Sequence, residues 1–260
     1  MDLNGPAIVT GAAGGIGRAI ALIFAKFHCP CLTLVDLNSE GLEETKRIIH
    51  AAFPLVSIVL IARDLTEGDA PDEIVRQAVD VFKTLSYLVN CAGFPGPFGT
   101  SQSTDVDVFD KVQEMNVRAT WRLQKAGVRQ MLSQEPASGQ RGSIVNVGSL
   151  VSHVGMRSLS SYVTSKHAIL GLTRADAIDF APQGIRVNCI APGIIKTNLG
   201  HDTNSEEDTE QYLQELIGKI PMGRAGNVEE VANCVAFLCS SMASYVTGTS
   251  FVVDGGFTAE

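Results

Sequence analysis

The sequence predicts an α/β fold: a doubly wound parallel sheet of about seven strands with helices on both faces. Three observations carry this. Short apolar runs rich in β-branched residues recur seven times, with a helical apolar rhythm between most of them, the alternation that builds a parallel sheet covered on both sides. The first run passes through a glycine-rich turn at 10–17 directly into a helical pattern. The chain is 260 residues long, a common size for one α/β domain, and contains no linker, repeat or low-complexity segment. One domain over 1–260 is therefore expected.

Each element follows in order. The strands are expected at 6–10, 31–36, 57–62, 87–90, 143–147, 186–190 and 250–253. After the first, Gly11, Gly15 and Gly17 stand in the spacing G-x-x-x-G-x-G. Glycines there permit a tight turn and let backbone N–H groups approach a phosphate, whose charge a helix N-terminus favours. The second strand, CLTLVD, ends in Asp36, about twenty residues past the turn, where a carboxylate can hydrogen-bond the adenosine ribose hydroxyls of a dinucleotide. Asp36 can equally cap the following helix ahead of Asn38 and Ser39. The polar loop at 133–142 is assigned no function.

The proton chemistry lies further on. Tyr162 and Lys166 are four residues apart in a helical stretch, so both side chains fall on one face, one turn apart. A free tyrosine is a poor base at neutral pH, but an adjacent cation favours the phenolate. Ser149 closes GSIVNVGS, a buried strand at its C-terminal end, where its hydroxyl can orient and polarise a carbonyl. Tyr/Lys pairs also occur on ordinary helices, and a serine ending a strand also serves as a turn or cap.

These pieces join a longer series. TGAAGGIG, NCAG at 90–93, MNV at 115–117, Ser149, YVTSK, Ala191-Pro192-Gly193 and the DGG ending at Gly256 occur in one order. The sequence resembles, over residues 6–256, the short-chain dehydrogenase/reductase family in its compact single-domain branch, with a Rossmann-type sheet. The resemblance implies Tyr162 as catalytic acid/base, Lys166 as its helper and ribose ligand, Ser149 as the substrate-orienting serine and Asn116 as the holder of a water in a proton relay. Asn116 can also be a polar residue on a partly exposed helix. Cofactor contacts are implied at Gly11, Gly15, Ile16, Gly17, Asp36, Leu37, Asp64, Leu65, Asn90, Ala92, Gly93, Tyr162, Lys166, Pro192, Gly193, Ile195 and Thr197. Asp64 can alternatively be a solvated loop acid. The family often has a second asparagine where this chain has Cys91, a departure expected to affect packing more than chemistry.

The resemblance also implies a homotetramer, formed partly through the helix carrying Tyr162. NADPH-preferring relatives place a basic residue before the second glycine or after the second strand; here those positions are Gly14 and Leu37, so NAD is the expected cofactor. A substrate loop or lid is expected around 193–223, with 200–208 ordering on binding. Phe94, Pro95, Val151, Met156, Ile194, Leu199, Tyr212 and Met222 are candidates for an apolar pocket, several of which can be plain core, and His153 is a possible polar contact.

Composition narrows the alternatives. The net charge of −8 disfavours a nucleic-acid partner, which would require a basic face. No run reaches the roughly 18 apolar residues of a membrane span, and no signal-peptide pattern opens the chain; a cytoplasmic protein is expected. Six cysteines lack paired metal spacing, so reduced thiols and no metal site are expected. The activity expected is NAD(H)-dependent interconversion of a secondary alcohol and a ketone on an apolar or aromatic small molecule. Two alternatives stand beside it: an NADPH-dependent ketone or 3-oxoacyl reductase, and a noncatalytic dinucleotide-binding sensor.

Overall fold

The computed structural model describes residues 1–136, 139–197 and 214–259. Its elements run β1 (Ala7–Thr10), α1 (Gly15–Lys26), β2 (Cys31–Asp36), α2 (Ser39–Ala52), β3 (Ser57–Ala62), α3 (Ala70–Phe82), β4 (Tyr87–Asn90), α4 (Val106–Gln113), a π-helical turn (Glu114–Ala119), α5 (Thr120–Leu132) and β5 (Gly142–Val147). A 3-10 turn (Leu150–Ser152), α6 (Ser160–Phe180), β6 (Ile185–Pro192), β7 (Ile195–Lys196), β8 (Gly226–Asn227), α7 (Val228–Cys239) and β9 (Ser250–Val253) follow.

Seven strands form one parallel sheet in the order β3-β2-β1-β4-β5-β6-β9. Strands buried on both faces are largely apolar rather than alternating, and β1, β5 and β6 are buried along their whole length, with the buried polar residues Ser143, Asn146, Arg186 and Asn188 hydrogen-bonded. One core cluster packs α1, α2 and α7 against the sheet through Ile20, Phe24, Leu42, Ile49, Val231 and Val235. The other packs α3, α5 and α6 on the opposite face through Ile74, Leu123, Met131 and Ala177.

The chain winds outward from β1 to β3 and then crosses back to place β4 beside β1. That reversal leaves a crevice between the loops after β1 and β4, where ligands of open α/β sheets bind. The strand-end segments that the sequence singles out for chemistry lie at this same sheet edge: the glycine turn after β1, Asp36 ending β2, Asp64 past β3, Cys91–Gly93 past β4, Ser149 past β5 and Gly193 past β6.

Four local features depart from the expected pattern. Pro6 lies outside β1, having no N–H for a ladder, while its carbonyl accepts from the N–H groups of Ser86 and Tyr87 at 2.9 and 3.1 Å. β6 continues to Pro192 because β9 pairs with it from Cys189 to Pro192. The two-residue ladder of β7 with β8 is too short to leave a period in the sequence. Asn116 is neither in an α-helix nor partly exposed; it sits in the π-helical turn with 1% of its surface accessible. Leu199, Tyr212 and the 200–208 stretch lie outside the described residues.

Candidate active site

The glycine turn is shaped for a phosphate. Gly11 takes φ +69°, a conformation open to glycine, and an added Cβ would lie 3.1 Å from the Ala92 backbone nitrogen. A Cβ on Gly17 would lie 2.1 Å from the Gly11 carbonyl oxygen, so α1 can begin this close to the turn only without a side chain there. Gly14 is the N-cap of α1 and supplies no side-chain acceptor, and the first turn of α1 carries no acidic residue. Its N–H groups and positive dipole end therefore face the crevice uncompensated, an arrangement that fits a dinucleotide pyrophosphate.

Asp36 closes one side of this turn. Its Oδ2 accepts from the Ala13 N–H at 3.0 Å and its Oδ1 from the Asn38 N–H at 3.1 Å. Arg18 grips the same turn from the other side, with its guanidinium donating to the carbonyls of Ala13 and Gly41 and to Thr45 Oγ1. Thr45, fully buried, donates to the Ala12 carbonyl at 2.8 Å. A Cβ on Gly41 would lie 2.7 Å from Ala13 Cβ, so α2 begins directly against the turn. Leu37 beyond Asp36 is 67% exposed.

The opposite wall is the strip after β4. Thr10 Oγ1 accepts from the N–H groups of both Cys91 and Ala92 at 3.0 Å, which ties this strip to the end of β1. Asn90 is buried; its Nδ2 donates to Asn146 Oδ1 at 2.8 Å, while its Oδ1 has no partner among the described residues. Burial pushes the Cys91 thiol up to about 12, so it stays protonated and acts as a small packing group.

Gly93 is where three elements meet: a Cβ there would lie 2.9 Å from Asn116 Oδ1 and 3.6 Å from Lys166 Nζ. Asn116 is fixed by the Phe94 backbone on both sides of its amide, accepting from its N–H at 3.0 Å and donating to its carbonyl at 2.9 Å, and it also donates to Ser165 Oγ at 3.0 Å. Ser165 donates in turn to the Tyr162 carbonyl at 2.8 Å. Lys166, 5% exposed, donates to the Val147 carbonyl at 2.8 Å, and its Nζ lies 5.5 Å from the Tyr162 ring centroid. A buried ammonium thus stands beside a phenol, at the edge of the crevice.

Ser149 lies two residues past β5, not within it. It is the N-cap of the 3-10 turn, its Oγ accepting from the Val151 N–H at 3.3 Å while Ser152 Oγ accepts from the Ser149 N–H at 3.2 Å. The cap role and a substrate role are compatible, because an oxygen that accepts from the backbone still has its O–H to donate. The turn packs on α6, the helix that carries Tyr162.

The remaining positions fall as follows. Asp64 Oδ1 accepts from the Thr66 N–H and hydroxyl at 2.8 and 2.7 Å, and Leu65 is buried in the core. Gly193 lies against Asp254, where a Cβ would come within 2.6 Å of its Cα, and donates its N–H to the Val253 carbonyl at 2.9 Å. Ile195 is in β7, and Thr197 follows it, half-buried. Ile16 is half-buried in the first turn of α1, and Pro192 ends β6. Val151 is a core residue at 2% exposure. His153 turns toward β9, its Nε2 2.7 Å from Ser250 Oγ. Sequence reasoning gave Thr10 and Ser165 no role although they stand inside TGAAGGIG and YVTSK, and it missed Arg18 and Thr45: these act through contacts 27 to 82 residues distant in sequence, or through backbone groups, which local spacing does not reveal.

Comparison with known proteins finds relatives that match almost the whole chain. A family model described as "Enoyl-(Acyl carrier protein) reductase" matches residues 11–258. The 2-(R)-hydroxypropyl-CoM dehydrogenase of Xanthobacter autotrophicus is 36% identical over 255 residues, covering 97% of this chain and 98% of its own. Among solved structures, NAD+-bound xylitol dehydrogenase superposes with a TM-score of 0.87 at 32% identity, covering 97% of this chain and 98% of that one. A structure from Agrobacterium tumefaciens with bound NADP superposes at 0.84 and 30% identity, covering 99% and 97%. On matches of this extent the chain belongs to the short-chain dehydrogenase/reductase family, NAD(P)-dependent oxidoreductases acting on CH–OH groups.

Proposed function

We propose that this protein is an NAD(H)-dependent oxidoreductase that interconverts a secondary alcohol and a ketone on an apolar or partly aromatic small molecule, the whole chain serving as one dinucleotide-binding and catalytic domain. The observation that carries the reading is the buried Lys166 ammonium 5.5 Å from the Tyr162 ring, opening on a crevice whose other end is a glycine turn closed by Asp36.

Bound nicotinamide dinucleotide supplies the acceptor or donor of hydride. The protein's residues do the rest. Tyr162 moves the proton at the substrate oxygen, taking it in oxidation and returning it in reduction. Lys166 stabilises the negative charge that develops on the phenol oxygen and keeps N–H donors for ribose hydroxyls, since Val147 takes one of its three. Ser149 donates its O–H to the substrate oxygen and orients it. Asn116, fixed on the Phe94 backbone and close with Lys166 to Gly93, is the residue that would hold a water for proton relay.

Asp36 supports NAD over NADP. A 2′-phosphate would meet a carboxylate, and the nearby cation, Arg18, is already engaged by backbone carbonyls and Thr45. Phe94, beside Gly93 and 40% exposed, supports an apolar substrate. A homotetramer in the reducing cytoplasm is part of the same reading. Edge strand β9 exposes Phe251 and Val252, α4 exposes Val106, and all six cysteines are free thiols. No helix among the described residues is long and apolar enough to cross a membrane.

The test is equilibrium binding of NADH and NADPH followed by nicotinamide fluorescence, with NAD+ reduction measured on a panel of secondary alcohols. NADH binds more tightly, and Asp36→Ala weakens it by about tenfold while narrowing its advantage over NADPH, the loss of charge-assisted hydrogen bonds to hydroxyls. Tyr162→Phe retains NADH binding and loses turnover by about a thousandfold or more. Tighter NADPH binding would overturn the cofactor assignment, and retained turnover in Tyr162→Phe the chemistry.

A further inference from the structure

The turn that presents Ser149 is short and is held at both ends. At its front, the Gly148 N–H donates to the Ile190 carbonyl of β6 at 2.8 Å, and a Cβ on Gly148 would come within 2.7 Å of Cys189 Sγ, so the approach to Ser149 is pressed onto β6. At its back stands His153, the C-cap, whose N–H donates to the Leu150 carbonyl at 3.0 Å and whose Nε2 lies 2.7 Å from Ser250 Oγ. Ser250 is the first residue of β9 and pairs in register with Cys189, the neighbour of Ile190. The two ends of the turn are therefore fixed to adjacent positions on paired strands, the back end through one side-chain hydrogen bond spanning 97 residues.

We propose that His153 is a positioning residue for the reaction: through Ser250 it clamps the 3-10 turn to the sheet edge and so fixes where the Ser149 hydroxyl points. This rests on the reading of Ser149 as the substrate-orienting group. The clamp does not need a particular ring state. Partial burial, with Arg174 and His167 of α6 outweighing Asp254 beyond β9, holds the imidazole below its ordinary value and favours the neutral form. A neutral ring either donates to or accepts from a hydroxyl, and a protonated ring donates, so the bond to Ser250 survives each. A hydroxyl displaced by a fraction of an ångström from its acceptor loses much of its effect on rate, whereas the glycine turn after β1 and Asp36 at the end of β2 lie on other strands and are untouched.

Four variants decide it: His153→Ala, Ser250→Ala, their double and His153→Gln, with Ser149→Ala as the control. Each alanine variant lowers kcat about tenfold on the best alcohol of the panel, leaves the NADH Kd within about twofold, and speeds amide hydrogen exchange at residues 150–153 without lowering Tm. The double variant is no worse than either single, as expected for two halves of one contact. His153→Gln, whose amide can still donate to Ser250, recovers most of the loss. Unchanged exchange at 150–153, or losses that add, would overturn the clamp. The control separates the two readings: full turnover in Ser149→Ala removes the serine role, while the exchange data still report on the clamp.

Discussion

At Gly17 a single hydrogen in place of a side chain decides whether the crevice can form. Its missing Cβ would sit 2.1 Å from a backbone oxygen that cannot swing away, so Gly17→Ala must push α1 and the turn apart. We expect NADH binding to weaken by more than about tenfold with the sheet intact by circular dichroism, because the turn N–H groups no longer converge on one phosphate. Ser149 makes the opposite point. The sequence left it between cap and catalytic group, and the structure has it capping through its oxygen with its proton still available. Tyr162 and Lys166 were legible because helical spacing is local. Arg18 and Thr45 were not, because their partners Ala13, Gly41 and Ala12 are recognised through backbone carbonyls, which every residue type has.

Among the elements, α7 shows how a buried charge serves architecture. Arg186 on β6 is 6% exposed, and its guanidinium donates to the carbonyls of Leu238, Cys239, Ser240 and Val246, satisfying the C-terminal end of α7 where helix carbonyls lack partners. Burial lowers its affinity for the proton, and its Nε has no partner among the described residues. Arg186→Met leaves these carbonyls without their donor, and we expect a loss of about 3 kcal/mol, read from urea unfolding with NADH affinity at the folded baseline unchanged. The other end of α7 is held by a capping box in which Glu230 accepts from the Asn227 N–H at 2.8 Å and pairs with Arg224 at 2.7 Å. The box was open to a sequence reader in its N-x-x-E spacing; the arginine was not, since a lone basic residue in a strand-like run names no acceptor.

Across the whole molecule, acid stability follows from these fixed carboxylates. The Arg224 pair and the Asn227 N–H lower the Glu230 carboxyl to about 2 from an ordinary 4.5. Between those values the unfolded chain binds the extra proton, so this contribution is complete above about pH 4.5 and disappears as pH falls to about 2. Burial alone would raise Asp254, but hydrogen bonds from Thr258 Oγ1 and the Gly256 and Thr258 N–H groups outweigh it and add in the same direction. Melting curves against pH should show wild type above Glu230→Gln at neutral pH, with the gap closing as pH falls from about 4.5 towards 2. A gap that stays constant would contradict the coupling. The sequence by itself determined the class of fold, the order of the motifs along the chain and the residue types of the crevice, because hydrophobic period, glycine turns and helical spacing are properties of neighbouring residues. Only the tertiary structure decided that Gly93, Asn116 and Lys166 converge, that a π-helical turn carries Asn116, and that His153 reaches β9 rather than the crevice. Those are contacts between segments distant in sequence, fixed by how helices pack on a twisted sheet, and no local pattern encodes them.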